Sequence, residues 1–129
     1  MELSFSSKDI EFRDEVRDFL ANEYPNHVKE KLENGEPLSR EDIVDWHKSL
    51  SAKGWMGFNW PEEYGGTGWS PAQIYIFQNE LGLAGCPPLI PFGVSMVGPV
   101  IYTFGNQEQK DKFLPDILNF DTWWCQGYS

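Results

Sequence analysis

Apolar side chains recur at helical spacing along most of this chain, and the interruptions between the periodic stretches are sharp. Ile10, Val16, Phe19 and Leu20 repeat with the period of a helix, Phe12 adjoins them, and charged residues fill the other positions. This predicts an amphipathic surface helix. Ser6 or Ser7 caps it, Asp9 faces the positive end of the helix dipole, and Tyr24-Pro25-Asn26 ends it after Glu23. His27–Leu32 makes a short second helix, followed by a turn at Asn34-Gly35-Glu36-Pro37. A third helix starts at Ser39, with Asp42 completing an approximate capping box. It carries Ile43, Trp46 and Leu50 as its stripe and ends at Gly54. A fourth has Ser70 as its cap, Pro71 in its first turn and Ile74, Phe77, Leu81 and Leu83 at helical spacing before Gly85. Tyr75 and Ile76 widen its apolar surface, which predicts burial over much of its circumference.

Further along, periodicity decides less. Cys86-Pro87-Pro88-Leu89-Ile90-Pro91 reads as a stiff extended connector. Gly93–Phe104 is almost uncharged and fits either a buried strand or a buried helix. Its length and Gly105 favour a helix; Pro99 stands against one unless it sits in a first turn or marks a kink. Such a helix either packs into the core or lines an apolar cavity, which Met96 and the glycines would suit. Asn106, with Gln109 three residues on, caps a short helix that Pro115 is expected to interrupt; Leu114, Ile117 and Leu118 point inward. Asn119-Phe120-Asp121 turns the chain, and residues 122–129 have a strand-like composition. An unpaired aromatic strand at an edge predicts that the chain is cut before a β-rich portion.

One stretch fits neither period. Residues 54–68 hold four aromatics, five glycines and a proline in fifteen positions. No helix or strand tolerates that density of breakers, and no solvated linker is so aromatic. Trp55, Phe58, Trp60 and Tyr64 either plug a gap between helices or shape a loop that fixes how two helices meet beside a site. His47 sits beside the third stripe with no partner motif, as a helix residue rather than a catalyst. Glu80, amid an apolar run, reads as an exposed or salt-bridged residue, or else as a buried base.

Composition narrows the functions. The chain has 129 residues, enough for one domain with one modest core. Twenty acidic against ten basic residues give a net charge of −10, which argues against nucleic acid or an anionic membrane as partner. Cys86 and Cys125 lie far apart with no CxxC, so neither a metal site nor a disulfide framework is expected, and a reducing, cytoplasmic location is. No apolar run reaches the length of a membrane span, and no signal peptide is visible.

Three segments in order resemble the N-terminal helical domain of acyl-CoA dehydrogenases. They are Gly54-Trp55 leading to Trp60-Pro61-Glu62-Glu63-Tyr64-Gly65-Gly66-Thr67-Gly68; then Gln78-Asn79-Glu80-Leu81 with Ala84-Gly85; then Gly105–Lys110, Phe113–Ile117 and Trp124–Ser129. The resemblance implies an all-α fold class: an N-terminal helical bundle over residues 1–121, with the first strand of a central β-domain starting over residues 122–129. It implies FAD, an acyl-CoA substrate, an electron-transfer flavoprotein as electron acceptor and a homo- or hetero-oligomer. The reaction it implies is α,β-dehydrogenation in fatty acid or steroid catabolism, with a glutamate base removing the α-proton.

By the same resemblance Gln126, Tyr128 and Ser129 lie against the flavin, although Gln126 stands where many members have Tyr or Phe. Phe92, Met96 and Val97 are the expected acyl-lining residues. No catalytic residue is expected before the end of Ser129: Glu62, Glu63 and Glu80 do not match the family's base, so this chain alone should be inactive. Two rival readings remain, a flavin monooxygenase of the same fold and a non-catalytic subunit or helical interaction module.

Overall fold

The computed structural model describes residues 4–128. They form α1 (Ser7–Glu23), α2 (Asn26–Glu33), α3 (Arg40–Lys53), a 3-10 turn at Glu62–Tyr64, α4 (Pro71–Leu83), a π-helical turn at Phe92–Val97, α5 (Gly98–Phe104) and α6 (Gln107–Leu118). The class is all-α, as expected. Among the described residues no strand forms: residues 122–128 run without regular structure, since a strand needs a neighbour to pair with. In place of one core there are two compact units. One holds the chain up to Ile43 together with Trp69–Pro87; the other holds Val44–Gly68 together with the chain from Pro88 on.

In the first unit α1 packs on α4. Ser6 and Asp9 form a reciprocal capping box at the head of α1, as do Ser70 and Gln73 at α4. The buried stripe of α1 is Phe12, Val16 and Phe19, while Ile10 is exposed. Both sets satisfy the helical period; contact with α4 selects one. Helix α4 buries Ile76, Phe77, Glu80 and Leu81 but leaves Tyr75 and Leu83 exposed, so it is covered on one face only. Each fully buried apolar side chain here contributes roughly 1.5–3 kcal/mol. Glu80 is salt-bridged: Arg17 Nε and Nη2 donate to its two carboxylate oxygens at 2.9 and 3.1 Å. A carboxylate held in both arms of a guanidinium is the salt-bridged alternative.

Asp42, also buried, is the second charged anchor of this unit. Lys31 Nζ lies 2.6 Å from its Oδ2, the Ser39 N–H donates to the same oxygen at 2.8 Å, and His27 Nε2 is 3.6 Å from Oδ1. Lys31, then the Ser39 amide, hold the Asp42 carboxyl at about 2, below its ordinary 3.8. A depressed carboxyl contributes stability that is complete above its unfolded value and lost as pH falls through the folded one. Stability should therefore fall between about pH 4 and about pH 2, and an Asp42→Asn chain should lose that part of the slope. Urea unfolding at pH 5, 4, 3 and 2 measures it (about these values); equal slopes for both chains would remove Asp42 from the account.

In the second unit the latter half of α3, the 54–68 loop, the π turn, α5 and α6 supply a core of Trp46, His47, Leu50, Trp60, Val94, Leu114 and Ile117. Helix α6 is capped by Asn106 and Gln109 and runs on through Pro115 to Leu118, contrary to the expected interruption. Proline forfeits its own amide bond but can remain in the helix when the turns on either side are held, here by the buried Leu114 and Ile117.

Candidate functional site

The 54–68 loop is closed on itself by backbone bonds. Trp60 and Thr67 N–H both donate to the Gly57 carbonyl at 3.1 Å, Gly66 to Pro61 at 3.0 Å and Gly68 to Trp60 at 3.2 Å. Thr67 Oγ1 adds a bond to the Phe58 carbonyl at 3.0 Å. Trp55, Met56, Phe58 and Trp60 are buried. Its aromatics fill the core, as in the gap-plugging reading, and the loop also reaches the π turn, where Trp60 Nε1 donates to the Val94 carbonyl at 2.6 Å. Beyond it, Trp60 meets Tyr102 edge-on at 5.5 Å, and Tyr102 stacks on Tyr64 at 4.8 Å.

The uncharged run Gly93–Phe104 is helical, and Pro99 lies in the first turn of α5, which answers the objection it raised. Val97, Val100, Ile101 and Phe104 line one side of an open groove of about 350 Å³, with Phe113 and Trp124 on the other. Of the three expected acyl-lining residues, Val97 lines this groove, Phe92 is half-buried, and Met96 is 45% exposed on the same turn. Val100, Ile101 and Phe104 were not singled out from sequence. Their signal was there, in the unbroken apolar run before Gly105, but a run without charge does not say which side faces a cavity.

No lining residue of this groove is ionisable. It can shelter hydrocarbon from water, and it cannot move a proton. His47, fully buried, accepts the Ile90 N–H at Nε2 over 2.9 Å and stacks on Phe120 at 4.2 Å. An acceptor nitrogen is unprotonated, so this ring is a neutral structural element. It is more deeply buried than its lone position suggested. Burial pushes the Cys86 thiol up to about 12, which keeps it protonated and unreactive. Among the described residues no cluster of His, Cys, Asp or Glu could hold a metal ion, and no helix is long and apolar enough to cross a membrane.

Of the expected cofactor-contacting residues, Gln126 and Tyr128 are exposed, and Ser129 lies outside the described residues. The Trp124 indole N–H nearby is buried with no acceptor among the described residues. An amide, a phenol and an unsatisfied N–H are neutral donors and acceptors of the kind that match the polar edge of a flavin ring. The segment 122–128 carries no cation for a pyrophosphate. Among the described residues these groups do not assemble into a cofactor site.

The fold is a helical domain whose second unit carries an apolar groove with no ionisable residue in its lining. Residues 6–121 match the family described as acyl-CoA dehydrogenase, N-terminal domain, and the chain belongs to that family. It is 36% identical over 124 residues to the acyl-CoA dehydrogenase IpdE1 of Mycolicibacterium smegmatis, covering 92% of this chain and 32% of that protein. It is 35% identical to FadE26 of Mycobacterium tuberculosis, covering all of this chain and 32% of that protein. The chain thus spans about a third of the length of these curated relatives. Among solved structures, the ChsE4-ChsE5 complex from Mycobacterium tuberculosis superposes with a TM-score of 0.78 at 31% identity, covering 94% of this chain and 30% of that one. The structure described as Tcur3481-Tcur3483 steroid ACAD gives 0.73 at 35% identity, covering 94% and 31%.

Proposed function

We propose that residues 1–121 are the helical N-terminal domain of an FAD-dependent acyl-CoA dehydrogenase, and that residues 122–129 open its central β-domain. The observation that carries this is the family match over 6–121. In the parent enzyme FAD supplies the two-electron acceptor for α,β-dehydrogenation. The part this chain plays is binding and exclusion of water. Val97, Val100, Ile101 and Phe104 shelter the acyl chain, with Phe92 and Met96 on the turn that Val97 ends. Gln126, Tyr128 and Ser129 contact the ring edge. By the family resemblance the base that removes the α-proton comes from residues outside this chain, and the uncharged groove lining is in keeping with that.

The acyl group is a bulky one in this reading, a steroid-derived thioester ahead of a simple fatty one; the neighbour described as a steroid ACAD supports it. The ChsE4-ChsE5 structure is described as a complex, and the other neighbour's description joins two names, Tcur3481-Tcur3483, which supports a hetero-oligomeric parent. The electrons leave to an electron-transfer flavoprotein, and the enzyme works in the cytoplasm.

The complete gene product, purified with its flavin and mixed without oxygen with a panel of acyl-CoA thioesters, tests this. Bleaching of the oxidised flavin band is expected, strongest with polycyclic acyl groups. No bleaching by any thioester, with flavin bound, would replace the reading by a monooxygenase or a silent subunit.

A further inference from the structure

The π turn at Phe92–Val97 has a hydrogen-bonding gap that its own backbone leaves open. Gly98 N–H goes to the Gly93 carbonyl, five residues back. It is therefore not engaged with Val94, its usual helical partner. The next residue, Pro99, has no N–H to give. The Val94 carbonyl is stranded, in a residue that is 1% exposed. A buried carbonyl without a donor costs about 1–3 kcal/mol. Trp60 supplies the donor, its indole N–H reaching Val94 O at 2.6 Å from 34 residues away.

The fit leaves no slack. A Cβ on Gly98 would stand 2.3 Å from Trp60 Cζ2. Tyr102 also meets the indole, edge-on at 5.5 Å. A π turn carries one residue more than an α turn, so closing it would swing the side chains beyond it by about 100° around the axis. Val100, Ile101 and Phe104, which line the groove, lie beyond that turn, and Val97 ends it.

We propose that Trp60 is a positioning residue for acyl recognition: by holding the Val94 carbonyl it keeps the π turn open, and so sets which acyl groups the groove wall of Val97, Val100, Ile101 and Phe104 accepts. This rests on the reading of the parent as an acyl-CoA dehydrogenase.

The test uses the complete holoenzyme carrying Trp60→Phe, assayed on thioesters of increasing acyl bulk. The expected result is a fall of about tenfold in the ratio of kcat/KM between the best and the worst thioester. The change should lie in KM, with the flavin spectrum unchanged. The double variant Trp60→Phe with Pro99→Ala restores an N–H five residues beyond Val94, and the preference should return toward that of the wild type. A Trp60 that only supports the fold would lower Tm in the single variant without moving the ratio, and Pro99→Ala would bring nothing back. If the single variant does not fold, the double variant decides: recovered folding with recovered preference supports the assignment, and a second unfolded protein overturns it. A wild type reduced by thioesters alongside a Trp60→Phe enzyme of unchanged preference overturns this inference alone. A wild type that no thioester reduces overturns the parent reading and this inference with it.

Discussion

Gly66→Ala should abolish the folded loop and with it the second unit of the chain. A Cβ at this position would lie 2.1 Å from the Trp60 carbonyl oxygen and 2.4 Å from both the Trp60 carbonyl carbon and its Cβ. The atoms in the way are mostly backbone, so no rotamer change relieves the clash. The residues on either side are pinned: Gly66 N–H to Pro61, Thr67 N–H to Gly57 and Gly68 N–H to Trp60. Moving Gly66 aside breaks these three bonds together and pulls Trp60 from its place over the π turn. The cost should reach about 4 kcal/mol or more, in the range reserved for disrupted cores. That is a large fraction of the roughly 5–15 kcal/mol that stabilises a typical domain.

Gly54→Ala is the contrasting substitution. Gly54 has φ +80 with nothing within 4 Å of the added methyl. Only the left-handed backbone resists it there, at roughly 1–2 kcal/mol. Urea midpoints of the two variants measure the difference. A Gly66→Ala protein that unfolds at the wild-type midpoint would show that the loop can relax around a side chain.

Phe120 should produce the second-largest effect, and with an unusual order. It ends α6 in a left-handed conformation, φ 54, where glycine is the usual occupant. Phe120 N–H bonds to Ile117 O at 3.2 Å and Asp121 N–H to Asp116 O at 3.0 Å, which is the Schellman arrangement. A bulky residue is held there because its ring is 7% exposed, stacked on His47 at 4.2 Å and tilted against Trp123 at 5.6 Å. Lys48 ties the same corner from α3, reaching the Asn119 carbonyl at 3.3 Å and Asp121 at 2.7 Å.

Phe120→Ala loses the ring and keeps the strain, so it should cost about 3–5 kcal/mol. Phe120→Gly loses the same ring but relieves the backbone, and should be the more stable of the two by roughly 1 kcal/mol. Removing a further carbon would then increase stability, the reverse of what a buried site ordinarily shows. Chemical denaturation of both variants checks the order, and a glycine variant weaker than the alanine one would refute the strain argument.

Local chemistry made much of this molecule legible in advance. Ser70 and Asn106 each cap a helix with the side chain that sequence alone pointed to, and Ser6 is one of the two serines it offered for the first, because a cap and its return partner sit three residues apart. Pro71 and Gly54 mark a start and a stop for equally local reasons. The three segments from Gly54 to Ser129 carried the family, since their motifs are contiguous in sequence.

What misled was everything decided across the fold. Ile10 and Phe12 both suit an apolar stripe, and only packing against α4 buries the second. Tyr75 and Leu83 look like core on a helix that is covered on one face. Pro115 looks like a stop but sits in a helix anchored by Leu114 and Ile117. His47 gave no sign of the Ile90 amide it would accept.

The chain by itself determined its helices, their caps, its acidic surface and its family, because each depends on neighbours within a few residues or on contiguous motifs. Tertiary structure alone decided the π turn and the face of the groove. The Val94 carbonyl has no donor within its own helix, and the indole that satisfies it comes from a loop whose position no local pattern encodes.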